Sequence, residues 1–226
     1  MKHRTTRFKV LYLGDKGEWG REWCTMTVHG NGDRTIRALC EIDDKEILRD
    51  VTYTVDRDFA PRDCFVRLTI KDRFVGSTWF RFDGVRGEAE GWTAAEGRIS
   101  QRHDFPSPPV SMVVHPVSVD LWHWARIALE EGRGMQLCAP LATCSPSPYG
   151  DTGPLLAPYT LRAEFLGRKR VRVRAGTFDC LHATYLKADG TPSLEMWCTD
   201  DSDRLIVKMD WQPFASQFEL VELERS

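Results

Sequence analysis

The sequence predicts a mainly β protein. The expected architecture is an antiparallel barrel or half-barrel of about 12–13 strands, with one amphipathic helix at about 117–130 packed in or over its concave face. Three observations point there. Over residues 159–223 apolar and polar residues alternate with period two, as half-buried strands require because successive side chains point to opposite faces. Turn signals recur about every 8–12 residues, the spacing of a sandwich or barrel. Only 117–130 carries helical periodicity, and a curled sheet that hides its edges offers such a helix a concave face to cover.

The elements follow in order. Phe8, Val10 and Tyr12 share one face of a first strand. In the second, Cys24, Met26 and Val28 lie opposite Trp23, Thr25 and Thr27, and G-N-G-D at 30–33 is a hairpin signal. Ile36, Ala38, Cys40 and Ile42 mark a third strand, Ile47, Val51, Tyr53 and Val55 a fourth, and Cys64, Val66, Leu68 and Ile70 a fifth. Phe80 and Phe82 lie opposite Trp79 and Arg81 in a sixth. A weaker strand covers 88–92, and Ile99, Gln101, His103 and Phe105 are in phase in an eighth. After a proline-rich break come Val117, Leu121, Trp124 and Ala128 at helical spacing, with Ser118 as N-cap and Gly132 and Gly134 as the stop. Residues 135–143 suit a strand. Residues 144–158 hold four prolines and two glycines, a loop of a length typical of lids and binding loops. Five strands close the chain. The expected organisation is one domain over 1–226, with N-terminal strands at 1–105, proline-rich loops and helix at 106–158, and a closing meander at 159–226.

Composition narrows the function. Thirty-one basic against 33 acidic residues give no general drive toward nucleic acid or membrane, so neither is expected as a partner. Seven cysteines are an odd number with no C-x-x-C pair, which predicts free thiols in a reducing compartment, without disulfides or a zinc knuckle. The N-terminus has no apolar h-region and no stretch has membrane length, so the expected location is cytoplasmic. No cofactor or metal is expected. There is no dinucleotide or phosphate-loop fingerprint, no histidine pair at ligand spacing, and Asp200, Asp201 and Asp203 do not form a calcium loop.

The run V-R-V-R-A-G-T-F-D-C at 171–180, with E-M-W-C-T at 195–199 and L-I-V-K-M at 205–209, resembles the C-terminal half of a bacterial β-sheet family known only as a domain of unknown function. Its signature is V-x-V-x-A-G-T-F-D, and the resemblance spans about a quarter of the chain. Arg174 stands where that family often has proline. The resemblance implies a curved antiparallel sheet of lipoprotein-chaperone-like type and brings no catalytic residues with it.

Candidate site residues come from chemistry and phase. His115, in V-V-H-P-V just before the helix, is the first choice for a proton-transfer group, because histidine titrates near neutral pH. The plain alternative is a histidine bonded to nearby backbone. His103 is in phase with Ile99 and Phe105 and points inward by that count, away from Asp104. Tyr159, with Tyr53, Trp79 and Arg81, would put polar tips into an aromatic cavity. Trp122, Trp124 and His182 complete the expected substrate-binding wall, although His182 would equally suit an outer apolar face. Arg168, Arg170, Arg172 and Arg174 alternate on one strand face. They suit phosphates or, more simply, cross-strand carboxylates.

Two functions fit. One is a cofactor-independent acid/base enzyme (a lyase, hydratase, isomerase or hydrolase) acting on a small hydrophobic or aromatic molecule. His115 would be its base, His103 a second acid or base, and Tyr159 and Arg81 the stabilisers of negative charge. The other is a non-catalytic carrier of a lipid-like or aromatic ligand. A free sheet edge is also compatible with a homodimer. An enzyme calls for at least two ionisable groups converging in the cavity, a carrier for an almost wholly apolar lining.

Overall fold

Period-two alternation becomes fifteen strands in one sheet. The computed structural model describes residues 3–126, 128–147 and 149–226. The N-terminal meander comprises β1 (Arg4–Gly14), β2 (Gly17–Val28), β3 (Arg34–Ile42), β4 (Ile47–Val55), β5 (Pro61–Ile70), β6 (Arg73–Asp83), β7 (Arg86–Thr93) and β8 (Gly97–Asp104). Then follow β9 (Ser111–Val113), β10 (Gln136–Thr143), β11 (Ala157–Val173), β12 (Gly176–Leu186), β13 (Pro192–Thr199), β14 (Ile206–Trp211) and β15 (Ser216–Arg225). The eight expected N-terminal strands and five closing strands are present. Beyond these are β10, on the 135–143 stretch that suits a strand, and the unexpected β9, just after the proline-rich break.

The strand order is β8-β7-β6-β5-β4-β3-β2-β1-β15-β14-β13-β12-β11-β10-β9. The chain walks from the centre to one edge, crosses to the other edge, and walks back until β15 pairs antiparallel with β1. Only β9 and β10 pair in parallel among the described ladders. The crossing, residues 105–110, forces the sheet to curl. Laid flat, the edges of fifteen strands would lie about 65 Å apart, whereas a link of this length reaches about 25 Å at most. The seam stays unladdered between β8 and β9. The Leu156 N–H, just before β11, donates to Gln101 Oε1 of β8 at 2.8 Å and ties that segment to the edge strand.

Inward positions are those that the alternation assigns: Val10, Met26, Ile36, Cys40, Tyr53, Val55, Cys64 and Phe80 are all fully buried. All seven cysteines are free and buried. Two segments enter the hollow. Residues 144–156 fold against β4–β7, where Thr78 Oγ1 donates to Pro154 O at 2.7 Å. A Cβ at Gly76 would lie 2.7 Å from Pro154 Cδ, so the strand must be bare there.

The second segment is the expected helix, and here the structure corrects the expectation. In place of an α-helix over 117–130 there is a 3₁₀ helix at Asp120–Arg126, preceded by i→i+3 bonds from Val119 N to Pro116 O and from Asp120 N to Val117 O. Position 127 of the expected helix and position 148 of the expected loop lie outside the described residues. Leu121, Trp122, His123 and Trp124 are buried in succession. The sheet surrounds this segment, so its apolar residues are not a stripe on one face. Ser118 is not a side-chain cap: its Oγ has no partner, and its N–H goes to Glu22 Oε2 at 3.1 Å.

That bond belongs to a tether. Glu22 is fully buried in β2. Its carboxyl accepts the Val117 N–H at 2.6 Å, the Ser118 N–H and the Tyr12 hydroxyl. Gly20 makes room for Tyr12, since a Cβ there would lie 2.8 Å from the Tyr12 ring. At the other end of the hollow, Arg4 grips buried Asp203 through two bonds of 2.5 Å. Arg34 lies over the Phe59 ring and donates to Ser202 O at 2.9 Å. These contacts lock the 200–203 turn of the closing strands to β1 and β3.

Breaking a buried ion pair from one side is strongly destabilising, whereas an exposed pair matters little. The Arg4–Asp203 pair is intermediate, because Asp203 is buried and Arg4 part-exposed, so Asp203→Ala is expected to lower unfolding stability by about 1–3 kcal/mol in urea titration. Glu224→Ala, which removes the exposed 3.7 Å pair with Arg7, should change it by less than about 0.5 kcal/mol.

Candidate functional site

A cavity of about 250 Å³ remains between the 113–123 segment, the 145–149 loop and the sheet. Tyr12 and Trp19 line it from the β1–β2 side, and Leu194, Met209, Trp211 and Phe218 from β13–β15. Tyr12, Trp19 and Phe218 pack on one another with centroids 4.7–5.8 Å apart. Trp19, Tyr149 and Trp211 also border an outer depression with Lys16 and Lys45. That depression marks the mouth, at the end carrying the β1–β2 and β3–β4 turns.

The polar groups gather at Arg49, His115, Asp120 and His123. His115 has φ 74°, a left-handed conformation that side chains rarely adopt and that functional sites often hold. Its Nε2 lies 3.0 Å from Ser145 O. A carbonyl only accepts, so Nε2 carries the proton and Nδ1 is the acceptor. Burial, with nearby Arg49 adding to it, pushes the imidazole down to about 3, which keeps it neutral across the physiological range.

The 3₁₀ turn explains the Asp120–His123 pair, because residues i and i+3 eclipse in that geometry. His123 Nε2 lies 3.8 Å from Asp120 Oδ1, too far for a hydrogen bond, and has no other partner. His123 Nδ1 lies 2.7 Å from Ser111 Oγ, which is 3.5 Å from the Tyr53 hydroxyl. The Tyr53 oxygen accepts the Met112 N–H at 3.2 Å. Tyr185 is fixed by donating to Asp120 O at 2.8 Å. Burial raises both Tyr12 and Tyr185 well above the ordinary tyrosine value, with Glu22 and Asp120 respectively adding to the effect. Burial also raises Tyr159.

Of the residues singled out from sequence, His115 and Tyr159 line this cavity. The others do not. Trp79 and Arg81 point outward, since Phe80 and Phe82 take the inward positions of β6. His103 sits on edge strand β8 against Phe105, in a seam groove with Pro106, Pro140 and Pro158. Among the described residues only Tyr159 borders both that groove and the cavity. Tyr53, Trp122 and Trp124 are core: Trp122 packs on Tyr53 and Phe59, and Trp124 supports Tyr185. His182 is on the outer face, stacked on Trp197 at 4.5 Å and 3.1 Å from Glu195. Arg168, Arg170 and Arg174 approach Asp200, Asp179 and Glu219 at 2.8, 3.9 and 3.5 Å, the cross-strand pairing of a solvent face.

Glu22, Arg49, Asp120 and His123 escaped the sequence reading. Phase could have flagged two of them. Glu22 shares the apolar parity of Cys24 and Met26, and Arg49 that of Ile47, Val51 and Tyr53. Among the described residues no group of three or more metal-capable side chains converges, and no helix is long and apolar enough to cross a membrane.

The fold is that of β-barrel-like bacterial domains of unknown function. One solved structure of this kind is a beta-barrel-like protein of the DUF1849 domain of unknown function from Brucella abortus, with TM-score 0.55 and 12% identity over 99% of this chain and 97% of that one. A DUF1089-family protein from Pseudomonas aeruginosa gives TM-score 0.45 and 10% identity over 85% of this chain and 90% of that one. No family model and no curated protein matches the chain. The likeness is one of fold alone.

A histidine held neutral by burial disfavours the folded state as acid arrives. The unfolded chain takes up a proton near the ordinary value of 6.5, which the folded form refuses until about 3. Stability tied to His115 is thus complete above 6.5 and lost progressively between those values. His115→Asn, whose side chain tolerates positive φ, should flatten this decline. The check is urea midpoints at pH 7.5 and 5.0, with the wild type falling further than the variant.

Proposed function

We propose that the protein binds a small aromatic molecule in this cavity and releases it unchanged. The observation that carries the reading is the partly enclosed space with Trp19, Trp211, Phe218, Met209 and Leu194 on its wall and Arg49, His115, Asp120 and His123 among its polar groups. Ligand sites of folded proteins have this composition. Its volume equals that of about eight waters, room for roughly ten non-hydrogen atoms, so a long lipid chain does not fit.

Chemistry at His115 is poorly supported. A base tuned to about 3 is mismatched to proton abstraction near neutrality. It serves better as a neutral acceptor that orients a ligand. The partners first assigned to it, His103 and Arg81, face other surfaces.

One observation favours the acid/base reading: His123 and Asp120 come within 3.8 Å on the cavity wall. In that version His123, not His115, is the base.

Ethylbenzene is a probe of suitable size. At about −0.6 kcal/mol per heavy atom its Kd should be on the order of hundreds of micromolar. Native mass spectrometry and calorimetry should detect one bound molecule per chain, and Leu194→Trp should abolish binding by filling the cavity. No saturable binding by the wild type, or undiminished binding by the variant, contradicts the reading. Candidate aromatic ligands recovered chemically altered after incubation would move the assignment to the enzyme.

A further inference from the structure

Buried polar side-chain atoms normally have partners, and an orphan beside a cavity marks where a ligand atom belongs. His123 is almost fully buried, its Nε2 has no hydrogen-bond partner, and it lines the cavity. The far side of the same ring is saturated. The Asp120 carboxylate 3.8 Å from Nε2 favours the tautomer with the ring proton on that nitrogen, and the chain Tyr53 O–H to Ser111 Oγ, Ser111 O–H to His123 Nδ1 is compatible with it, the Tyr53 oxygen also taking the Met112 N–H. A donor N–H and an acceptor carboxylate thus stand side by side, 3.8 Å apart, on residues that line the cavity.

We infer that this pair forms a hydroxyl subsite: the ligand's O–H accepts from His123 Nε2 and donates to Asp120 Oδ1. An oxygen placed about 2.8 Å from each atom satisfies both at ordinary hydrogen-bond lengths. A carbonyl or ether could only accept, and it would face the carboxylate with no proton between them. An ammonium could only donate, and it would face the His123 N–H. A group that does both is required, and an alcohol or phenol hydroxyl is the smallest. The ligand class is therefore a small hydroxylated aromatic compound, the phenol type, with its ring against the Trp19, Trp211 and Phe218 wall. This inference rests on the cavity being a binding site and adds which molecule it selects. His123 and Asp120 are the specificity-determining pair. Ser111 and Tyr53 are positioning residues on the far side of the ring.

The test compares 4-ethylphenol with ethylbenzene by calorimetry on the wild type, His123→Phe and Asp120→Leu, with circular dichroism as the control for folding. The wild type should prefer the phenol by about tenfold or more, the usual consequence of leaving buried polar groups unpaired with the wrong ligand. Each variant should lose that preference, read as the ratio of its own affinities for the two probes. Should His123→Phe fail to fold, Asp120→Leu decides alone, because Asp120 is only part-buried. Equal binding of both probes by the wild type overturns the hydroxyl subsite and leaves the cavity reading intact, with a water held by the pair. A preference that survives in a folded variant also overturns it. Binding of neither probe overturns the cavity reading and the subsite with it.

Discussion

A buried carboxyl ties the inner segment to the wall of the curled sheet, alongside the Tyr185 bond to Asp120 O. Glu22 has no solvent contact, and burial raises its pKa despite the donors around it. Such a group is tolerated only where its oxygens are bonded. Its donors are the Tyr12 hydroxyl and two successive N–H groups of the inner segment. Apolar burial alone is non-directional and would leave that segment free to slide. The directed bonds fix its depth and rotation. With Pro116 and His115 next to the tether, and the 3₁₀ turn following it, the same bonds set where His115, Asp120 and His123 stand.

The curled sheet supplies the other half of the constraint. Its edges are brought together by a short crossing and its halves by the β1–β15 ladder, with Arg4 and Asp203 locking one end. The hollow is then too wide for strand side chains to fill. Two irregular segments enter it: the 144–156 loop covers the inner faces of β4–β7, and the 114–126 segment occupies the centre. The cavity is the space these rigid pieces leave under the aromatic side chains of β1, β2, β14 and β15. Polarity is concentrated where the segments meet the sheet, because irregular backbone inside a barrel must bring hydrogen-bonding groups with it.

Much of the sheet was legible because strand alternation is local. Phe8, Val10 and Tyr12, or Leu68 and Phe80, are buried wherever the partner strands lie. The same parity placed Trp79 and Arg81 outside, and the functional expectation for them ran against it. What could not be read depends on contacts distant in sequence. Leu121, Trp122 and Trp124 look like the stripe of an α-helix. Only the surrounding sheet, with Glu22 taking the N–H groups at the start of the segment, makes the stretch a 3₁₀ turn buried on all sides. His115 was legible as a histidine poised at a proline, but its neutrality comes from burial and Arg49, 66 residues earlier in the chain. His123 fell off the expected helical stripe and was not singled out. The β12 histidine, His182, had two permitted faces, and packing against Trp197 selects the outer one.

The central claim is that the inner segment is held as firmly as the sheet, through bonds to Glu22. Native-state hydrogen exchange at the Val117 and Ser118 amides tests it most directly. Both should exchange only through global unfolding, with the same opening free energy as the central amides of β2 and β3. If these two amides exchange by local opening, at free energies near those of exposed turns while the strands stay protected, the segment is not anchored and the account of a preformed cavity fails.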